Sequence, residues 1–125
     1  MYQDKSIEIL KYCEDKGVKA SLVKADLSDP ISVDTVLAGS THSFLATNFH
    51  ELFCAQAPTS VCGPASFEMG QRAGEQEFLQ GKLWVDACKK HLLEMVIFSG
   101  LEDVAERTQG KLPHVYHFNF KGKVN

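Results

Sequence analysis

Two side chains near the end of the sequence have the types and spacing that proton transfer requires. His117 and Lys121 lie four residues apart in a segment that predicts a helix beginning near Tyr116, so their heads share one side of that helix. An imidazole titrates near neutral pH and can relay a proton, while an ammonium can donate charge-assisted hydrogen bonds to ligand hydroxyls. His117 is therefore a candidate catalytic residue, and the alternative is a structural histidine at a helix start.

A second group of polar side chains follows the predicted strands. Asp26, the run Thr47-Asn48-Phe49 and the pair Ser99-Gly100 come at the ends of three successive strands, and an open parallel sheet binds ligands at those ends. The carboxylate of Asp26 can accept hydrogen bonds from an exocyclic amine, or it can cap a helix or close a turn, a role for which Asp29 competes. The Thr-Asn-Phe run offers hydroxyl, amide and aromatic groups, but it is also ordinary where a strand passes into a loop.

The other reactive residues lack the spacing of a metal or hydrolase site. The cysteines and the remaining histidines show none of the short spacings of zinc ligands. The segment Ser60-x-Cys62-x-Pro64 is not a nucleophile elbow, and no sequence motif places a catalytic base beside Ser66. We therefore expect neither a metal site nor hydrolase chemistry.

Composition limits the class of protein further. The chain has 125 residues, a formal net charge of −3 and 44% hydrophobic residues, which predicts one globular domain without a nucleic-acid partner. No apolar run is long enough to cross a membrane, and the polar N-terminus does not resemble a signal peptide. Cys13 and Cys88 fall on apolar helix faces and are expected to be buried thiols, whereas Cys54 and Cys62 lie in a loop and can pair only in an oxidising compartment. Reduced thiols and a cytoplasmic location are expected.

The elements that position the candidate residues alternate between helices and strands. Gly17 ends a first predicted helix, and Asp29 and Pro30 begin a second that ends at Gly39. Strands are predicted over 18–25, 42–47 and 95–99, and helices over 3–16, 77–91 and 102–108. Between them, residues 53–73 contain two prolines and no periodicity, which predicts a long irregular loop. Alternating helices and strands predict an α/β fold with a parallel sheet and flanking helices.

Five stretches, in order, resemble the NmrA-like family, a branch of the atypical short-chain dehydrogenase/reductases. They are GVKASLVKADLSDP at 17–30, FLATNF at 44–49, QGKLWVDA at 80–87, FSGLE at 98–102 and HFNFKGKV at 117–124. The matches span about residues 5–125 and are interrupted only by the loop after Asn48. The resemblance implies that residues 1–125 form a partial Rossmann-like domain of an NADP-binding protein.

The resemblance also implies roles for individual residues. It implies that Asp26 and Leu27 lie beside the adenine of the cofactor. It also implies that Thr47, Asn48 and Phe49 line the cofactor and that Lys121 binds the nicotinamide ribose. Short-chain dehydrogenases carry a catalytic Tyr four residues before the corresponding Lys, and His117 stands in that position here. This substitution is similar to that of family members which bind a dinucleotide without turning it over.

Three family elements have no counterpart in the sequence. They are a first strand with a G-x-x-G-x-x-G turn for the pyrophosphate, a second strand ending in an Arg for the 2′-phosphate, and a later sixth strand with its substrate lobe. We therefore expect a domain truncated at both ends, with impaired NADP binding. In the family's strand order 3-2-1-4-5, the lack of strands 1 and 2 leaves residues 19–25 without neighbours, facing the strand at 42–47 across a gap, and such exposed edges favour a protein partner or self-association.

Three functions are compatible with these observations. The first is an NADP-dependent oxidoreductase-type protein that is impaired in cofactor binding as an isolated chain. The second is a non-catalytic, dinucleotide-sensing protein that acts through protein interactions, which the histidine at position 117 favours. The third is a remnant without autonomous activity, which the missing glycines favour.

Overall fold

A two-stranded parallel sheet lies among six helices in the computed structural model, which describes residues 2–56 and 64–124. The elements in chain order are α1 (Tyr2–Asp15), α2 (Pro30–Leu37), β1 (His42–Leu45), α3 (Phe49–Gln56), α4 (Pro64–Lys90), β2 (Met95–Phe98), α5 (Val104–Arg107) and α6 (Tyr116–Gly122). Strands β1 and β2 pair with His42 opposite Met95 and Leu45 opposite Phe98. The predicted α/β class with a parallel sheet is confirmed.

Three predicted helix boundaries, each based on a local sequence signal, are confirmed: the end of α1 and both ends of α2. Gly17 follows α1 with a φ of 69°, and Gly39 follows α2 with a φ of 78°, a conformation that glycine adopts without steric cost. Asp29 is the N-cap of α2, and its carboxylate accepts a hydrogen bond from the Ile31 amide at 3.0 Å. Pro30 occupies the first turn of α2, where no amide donor is needed.

The strand predicted over residues 18–25 is wrong. This segment forms no helix or strand, and its side chains, including those of Val18, Leu22 and Val23, are exposed. A strand is defined by hydrogen bonds to a neighbour, and among the described residues no strand lies beside this segment. Its loosely alternating pattern therefore has no sheet to join.

The irregular loop predicted over residues 53–73 is also wrong where the structure describes it. Residues 53–56 complete α3, and residues 64–73 form the first turns of α4. Pro64 is the first residue of α4, a position that proline favours, and Gly70, within this segment, lies against the ring of Tyr116. The remaining part of this prediction, 57–63 with Cys62, lies outside the described residues.

The main core lies between α2 and α4. Val33, Leu37, Ala87 and Cys88 are buried there, and burial raises the pKa of the Cys88 thiol, which favours its protonated form. The prediction of a buried thiol at position 88 is confirmed. Cys13, which was expected to be buried as well, is only partly buried, and Cys54 is exposed; neither is paired with another cysteine among the described residues.

Two polar contacts fix α4 against its neighbours. The indole Nε1 of Trp84 donates to Ser43 Oγ at 2.7 Å, which holds α4 on one face of the sheet. Asp34 of α2 accepts from Lys90 Nζ and His91 Nε2, each at 2.8 Å, at the end of α4. These two hydrogen bonds lower the pKa of Asp34. The long helix is therefore held at its C-terminal half by both α2 and β1.

Candidate functional site

A buried polar cluster lies just beyond the carboxyl end of β1. The ammonium of Lys121 lies 2.7 Å from Glu77 Oε1 and donates to the backbone carbonyl and the hydroxyl oxygen of Thr47, both at 2.7 Å. The Thr47 hydroxyl in turn donates to Glu77 Oε1 at 2.7 Å. We call Thr47, Glu77 and Lys121 the buried triad.

Helix α6 reaches the triad because α4 presents small residues to it. Gly70 and Gly74 lie one turn apart on α4, and a Cβ at either position would overlap the ring of Tyr116 or Phe120 respectively. The absence of these side chains lets α6 approach α4 closely, as small residues do at helix crossings. Glu77 follows Gly74 by three residues and Lys121 follows Phe120, so the same close approach brings the two charges together.

Each of the three hydrogen-bond donors of the Lys121 ammonium has an acceptor within the triad. An ammonium has three donors, and the two oxygens of Thr47 with Glu77 Oε1 provide three acceptors within hydrogen-bonding distance. The side chain of Lys121 is 12% exposed and that of Glu77 is 1% exposed, so both charges lie in a medium of low polarity where an unpaired charge is costly. The second carboxylate oxygen of Glu77, Oε2, is buried and accepts no hydrogen bond from the residues that the structure describes.

A cleft of about 760 Å³ opens beside the triad, between residues 24–28 and the first turns of α3. Three predicted cofactor residues, Asp26, Leu27 and Asn48, line it together. The other lining residues are Lys24, Ala25, Ser28, Ala46, Glu51, Leu52, Ala55, Gln76 and Gln80. The volume of the cleft lies within the range of small-molecule sites, and its lining combines apolar and hydrogen-bonding side chains.

The polar groups of the cleft already have local structural roles. Asp26 accepts a hydrogen bond from the Ser28 amide at 2.8 Å, which closes a turn. Asn48 accepts from the Glu51 amide and donates to the Glu51 carboxylate, both at 3.3 Å, at the start of α3. Both residues therefore combine the turn or capping role with a position in the cleft, and their contact with a cofactor stays a prediction.

The charges of the cleft favour a neutral ligand over an anionic one. Asp26 and Glu51 provide two carboxylates, and Lys24 provides the one ammonium among the described lining residues. Carboxylates and amides suit an exocyclic amine and hydroxyl groups, whereas a phosphate beside two carboxylates is repelled. The residues present therefore fit the adenine and the neutral hydroxyl groups of an NAD(P) cofactor and do not fit its phosphates.

His117 and Phe49 belong to a cluster of aromatic rings. The His117 ring centroid is 5.9 Å from that of Phe49, 5.7 Å from that of His50 and 4.7 Å from that of Phe118. Phe49 is buried and also stacks on Phe53. The predicted roles of Phe49 as a cofactor wall and of His117 as a catalyst stay predictions, while the observed contacts are those of packed rings.

The predicted site residues thus form three neighbouring groups, joined by the consecutive residues 46–49. Glu77 was not predicted as a site residue, because a glutamate in a helix is ordinarily exposed. A usable signal was present nevertheless: Glu77 falls in register with Gly70, Ala73, Gly74 and Gly81, which form a stripe of small residues along α4. A charged residue inside such a stripe requires a buried partner.

Two further observations on the described residues concern metal binding and membrane spanning. No group of three or more His, Cys, Asp or Glu side chains in residues 2–56 and 64–124 is arranged to hold a metal ion. Within the same residues, none of the helices is long and apolar enough to cross a membrane.

The fold and the cleft define the class of this protein. A parallel β-α-β arrangement with a cleft at the carboxyl end of a strand is that of a partial Rossmann-like α/β domain. The chain belongs to the NmrA-like family, whose profile matches residues 2–125. Its fold is accordingly of the NAD(P)-binding, oxidoreductase-like type, and the predicted family resemblance is confirmed.

Proposed function

We propose that the chain is an oxidoreductase-type member of the NmrA-like family that recognises the adenine ring of NADP in the cleft beside β1. The observation that carries this proposal is the convergence of Asp26, Leu27 and Asn48 on one cleft, at the sheet edge where α/β domains bind ligands. The 125-residue polypeptide lacks a glycine-rich phosphate turn, and its cleft carries more carboxylates than ammonium groups. Its affinity for the whole dinucleotide is therefore low. Because its cysteines are expected to be reduced thiols, the cytosol is its expected compartment.

Titration of the polypeptide with adenosine and with NADPH tests this proposal. Adenosine should shift the NMR signals of amides in residues 24–28, 46–52 and 76–80, whereas NADPH should bind with a dissociation constant of about 1 mM or weaker. Asp26→Ala should remove the adenosine shifts, because the acceptor for the exocyclic amine is lost. Glu68→Ala, which removes an exposed carboxylate outside the lining residues, should leave them in place. NADPH binding at micromolar concentrations would contradict the proposed impairment, and the absence of adenosine shifts would favour a remnant without autonomous activity.

The surroundings of Lys121 and His117 favour a second candidate function, a dinucleotide-sensing protein that acts without catalysis. Every donor of Lys121 has an acceptor within the triad, so binding a ribose hydroxyl requires the loss of an internal contact. His117 occupies the position of the catalytic Tyr, and its ring packs among Phe49, His50 and Phe118. These contacts support a structural histidine more than a proton donor.

An NADPH oxidation assay with a panel of carbonyl compounds separates the two functions. At NADPH concentrations above the dissociation constant found by titration, the parent chain and His117→Phe should both be inactive, because neither carries the tyrosine hydroxyl. His117→Tyr restores a Tyr four residues before Lys121. A gain of reductase activity confined to this variant would support a parent chain that binds the dinucleotide without catalysis. If the parent oxidises NADPH and His117→Phe does not, His117 is a catalytic residue and the second candidate is wrong.

A further inference from the structure

The turn that carries Asp26 and Ser28 is fixed to two helices. The amide of Asp26 donates a hydrogen bond to Ser32 Oγ of α2 at 2.9 Å. The hydroxyl oxygen of Ser28 accepts a hydrogen bond from Gln80 Nε2 of α4, also at 2.9 Å. Leu27, between the two, packs against the core that α2 and α4 share. The turn therefore has a defined position in the wall of the cleft, which all three of its residues line.

The hydroxyl group of Ser28 keeps its hydrogen for a further acceptor. An amide nitrogen only donates, whereas a hydroxyl group can accept hydrogen bonds and donate one. Because Ser28 Oγ is the acceptor in its hydrogen bond with Gln80, the hydroxyl hydrogen is directed to a different atom. No acceptor for this hydrogen is found among the described residues. Gln80 thus fixes Ser28 as a hydrogen-bond donor in the lining of the cleft.

The carboxylate of Asp26 provides an acceptor next to this donor. Its Oδ1 accepts a hydrogen bond from the Ser28 amide at 2.8 Å, so the carboxylate lies beside the residue that carries the hydroxyl group. Its Oδ2 accepts no hydrogen bond from the part of the chain that the structure describes. An ionised carboxylate can only accept. Asp26 and Ser28 therefore present one acceptor and one donor side by side.

The edge of adenine that carries the amine has the complementary pattern, a donor amine next to an acceptor ring nitrogen. Guanine has a carbonyl oxygen in place of this amine and cannot donate to Asp26 there. We propose that Ser28 is a second base-reading residue, which donates to the ring nitrogen beside the amine that Asp26 binds. Gln80 is the positioning residue that sets the direction of the Ser28 hydroxyl group. These two roles rest on the proposed recognition of adenine in the cleft.

Deaza analogues of adenosine test whether the ring nitrogen is read. The 1-deaza and 7-deaza analogues each replace one of the ring nitrogens beside the amine with C–H and keep the amine itself. In NMR titrations of the parent chain, one of the two analogues should bind about three- to tenfold more weakly than adenosine, because one neutral hydrogen bond is lost. Ser28→Ala should weaken adenosine binding by the same factor and should bind this weaker analogue as the parent does.

Gln80→Met removes the amide group and keeps an unbranched side chain of similar length. It should weaken adenosine binding by about three- to tenfold, leave the affinity for the weaker analogue unchanged, and add nothing to Ser28→Ala in the double variant. A general disturbance of α4 would weaken the binding of both nucleosides alike. Ser21→Ala is the matched control, since Ser21 is an exposed serine outside the lining of the cleft, and it should bind adenosine as the parent does.

Equal affinity of the parent for adenosine and both analogues overturns the proposal, because no ring nitrogen is then read. The same holds if Ser28→Ala still distinguishes adenosine from the weaker analogue. In both cases adenosine binding that depends on Asp26 would leave the proposed function standing. If Gln80→Met weakens the binding of both nucleosides alike, Gln80 is not the positioning residue. A parent that binds no adenosine contradicts the proposed function, and the role of Ser28 with it.

Discussion

Replacing Lys121 with methionine should lower the free energy of unfolding by about 3–5 kcal/mol, because it leaves the carboxylate of Glu77 buried without a counter-charge. Glu77 is 1% exposed, and its remaining partner would be the Thr47 hydroxyl alone. Its second oxygen has no partner even in the intact triad, so no spare donor is available to compensate. Urea unfolding followed by the fluorescence of the single tryptophan, Trp84, measures this loss at one fixed protein concentration.

The double variant Lys121→Met with Glu77→Leu should recover most of that loss. Replacing both members of a buried ion pair with apolar groups of similar volume is often neutral or stabilising, and here it also removes the unpartnered oxygen. We expect the double variant to unfold within about 1 kcal/mol of the parent. This recovery would show that the cost of the single substitution arises from an unpaired charge rather than from lost packing.

An exposed ion pair on the same helix provides the control for the triad. Lys82 lies 2.5 Å from Asp86 on α4, and both side chains are more than half exposed. Solvent-exposed pairs of this kind contribute little to stability, so Lys82→Met should change the urea midpoint only slightly. If Lys121→Met costs no more than Lys82→Met, the triad does not stabilise the contact between α4 and α6.

The elements that the sequence predicts correctly have their signals in neighbouring residues. Gly17 and Gly39 end helices through a backbone conformation that few other residues adopt, and Asp29 caps α2 through its own side chain. Both paired strands were predicted, because an apolar run of strand length follows each of the predicted helices that end near residues 39 and 91. Each of these predictions needs only a few consecutive residues.

The predictions that failed depend on residues far away in the sequence. The segment 18–25 has a strand-like pattern, but a strand exists only beside another strand. The glycines at 70 and 74 normally weaken a helix, and only the rings of Tyr116 and Phe120, more than forty residues later, explain their place in α4. Glu77 was missed for the same reason, since its partner Lys121 lies on another helix.

Gly74→Ala should destabilise the protein, although alanine is the better helix former. In an exposed helix this substitution gains up to about 1 kcal/mol, but the new Cβ would overlap the Phe120 ring, which is buried against α4. Forcing an extra methyl group into a close-packed contact costs about 1–3 kcal/mol, and the ring cannot rotate away without moving α6. We expect a net loss of about 1–2 kcal/mol in urea unfolding.

A smaller side chain at position 120 should relieve the overlap. Phe120→Leu is itself destabilising because it leaves unfilled space, but combined with Gly74→Ala the total loss should fall short of the sum of the two by at least about 0.5 kcal/mol. Arg72→Ala, at an exposed position of the same helix, serves as the control and should not lower stability, since alanine favours the helix. If Gly74→Ala raises the urea midpoint instead, α6 does not lie against this face of α4. The described contact between α4 and α6, which brings Lys121 to Glu77 and Thr47, would then be contradicted as well.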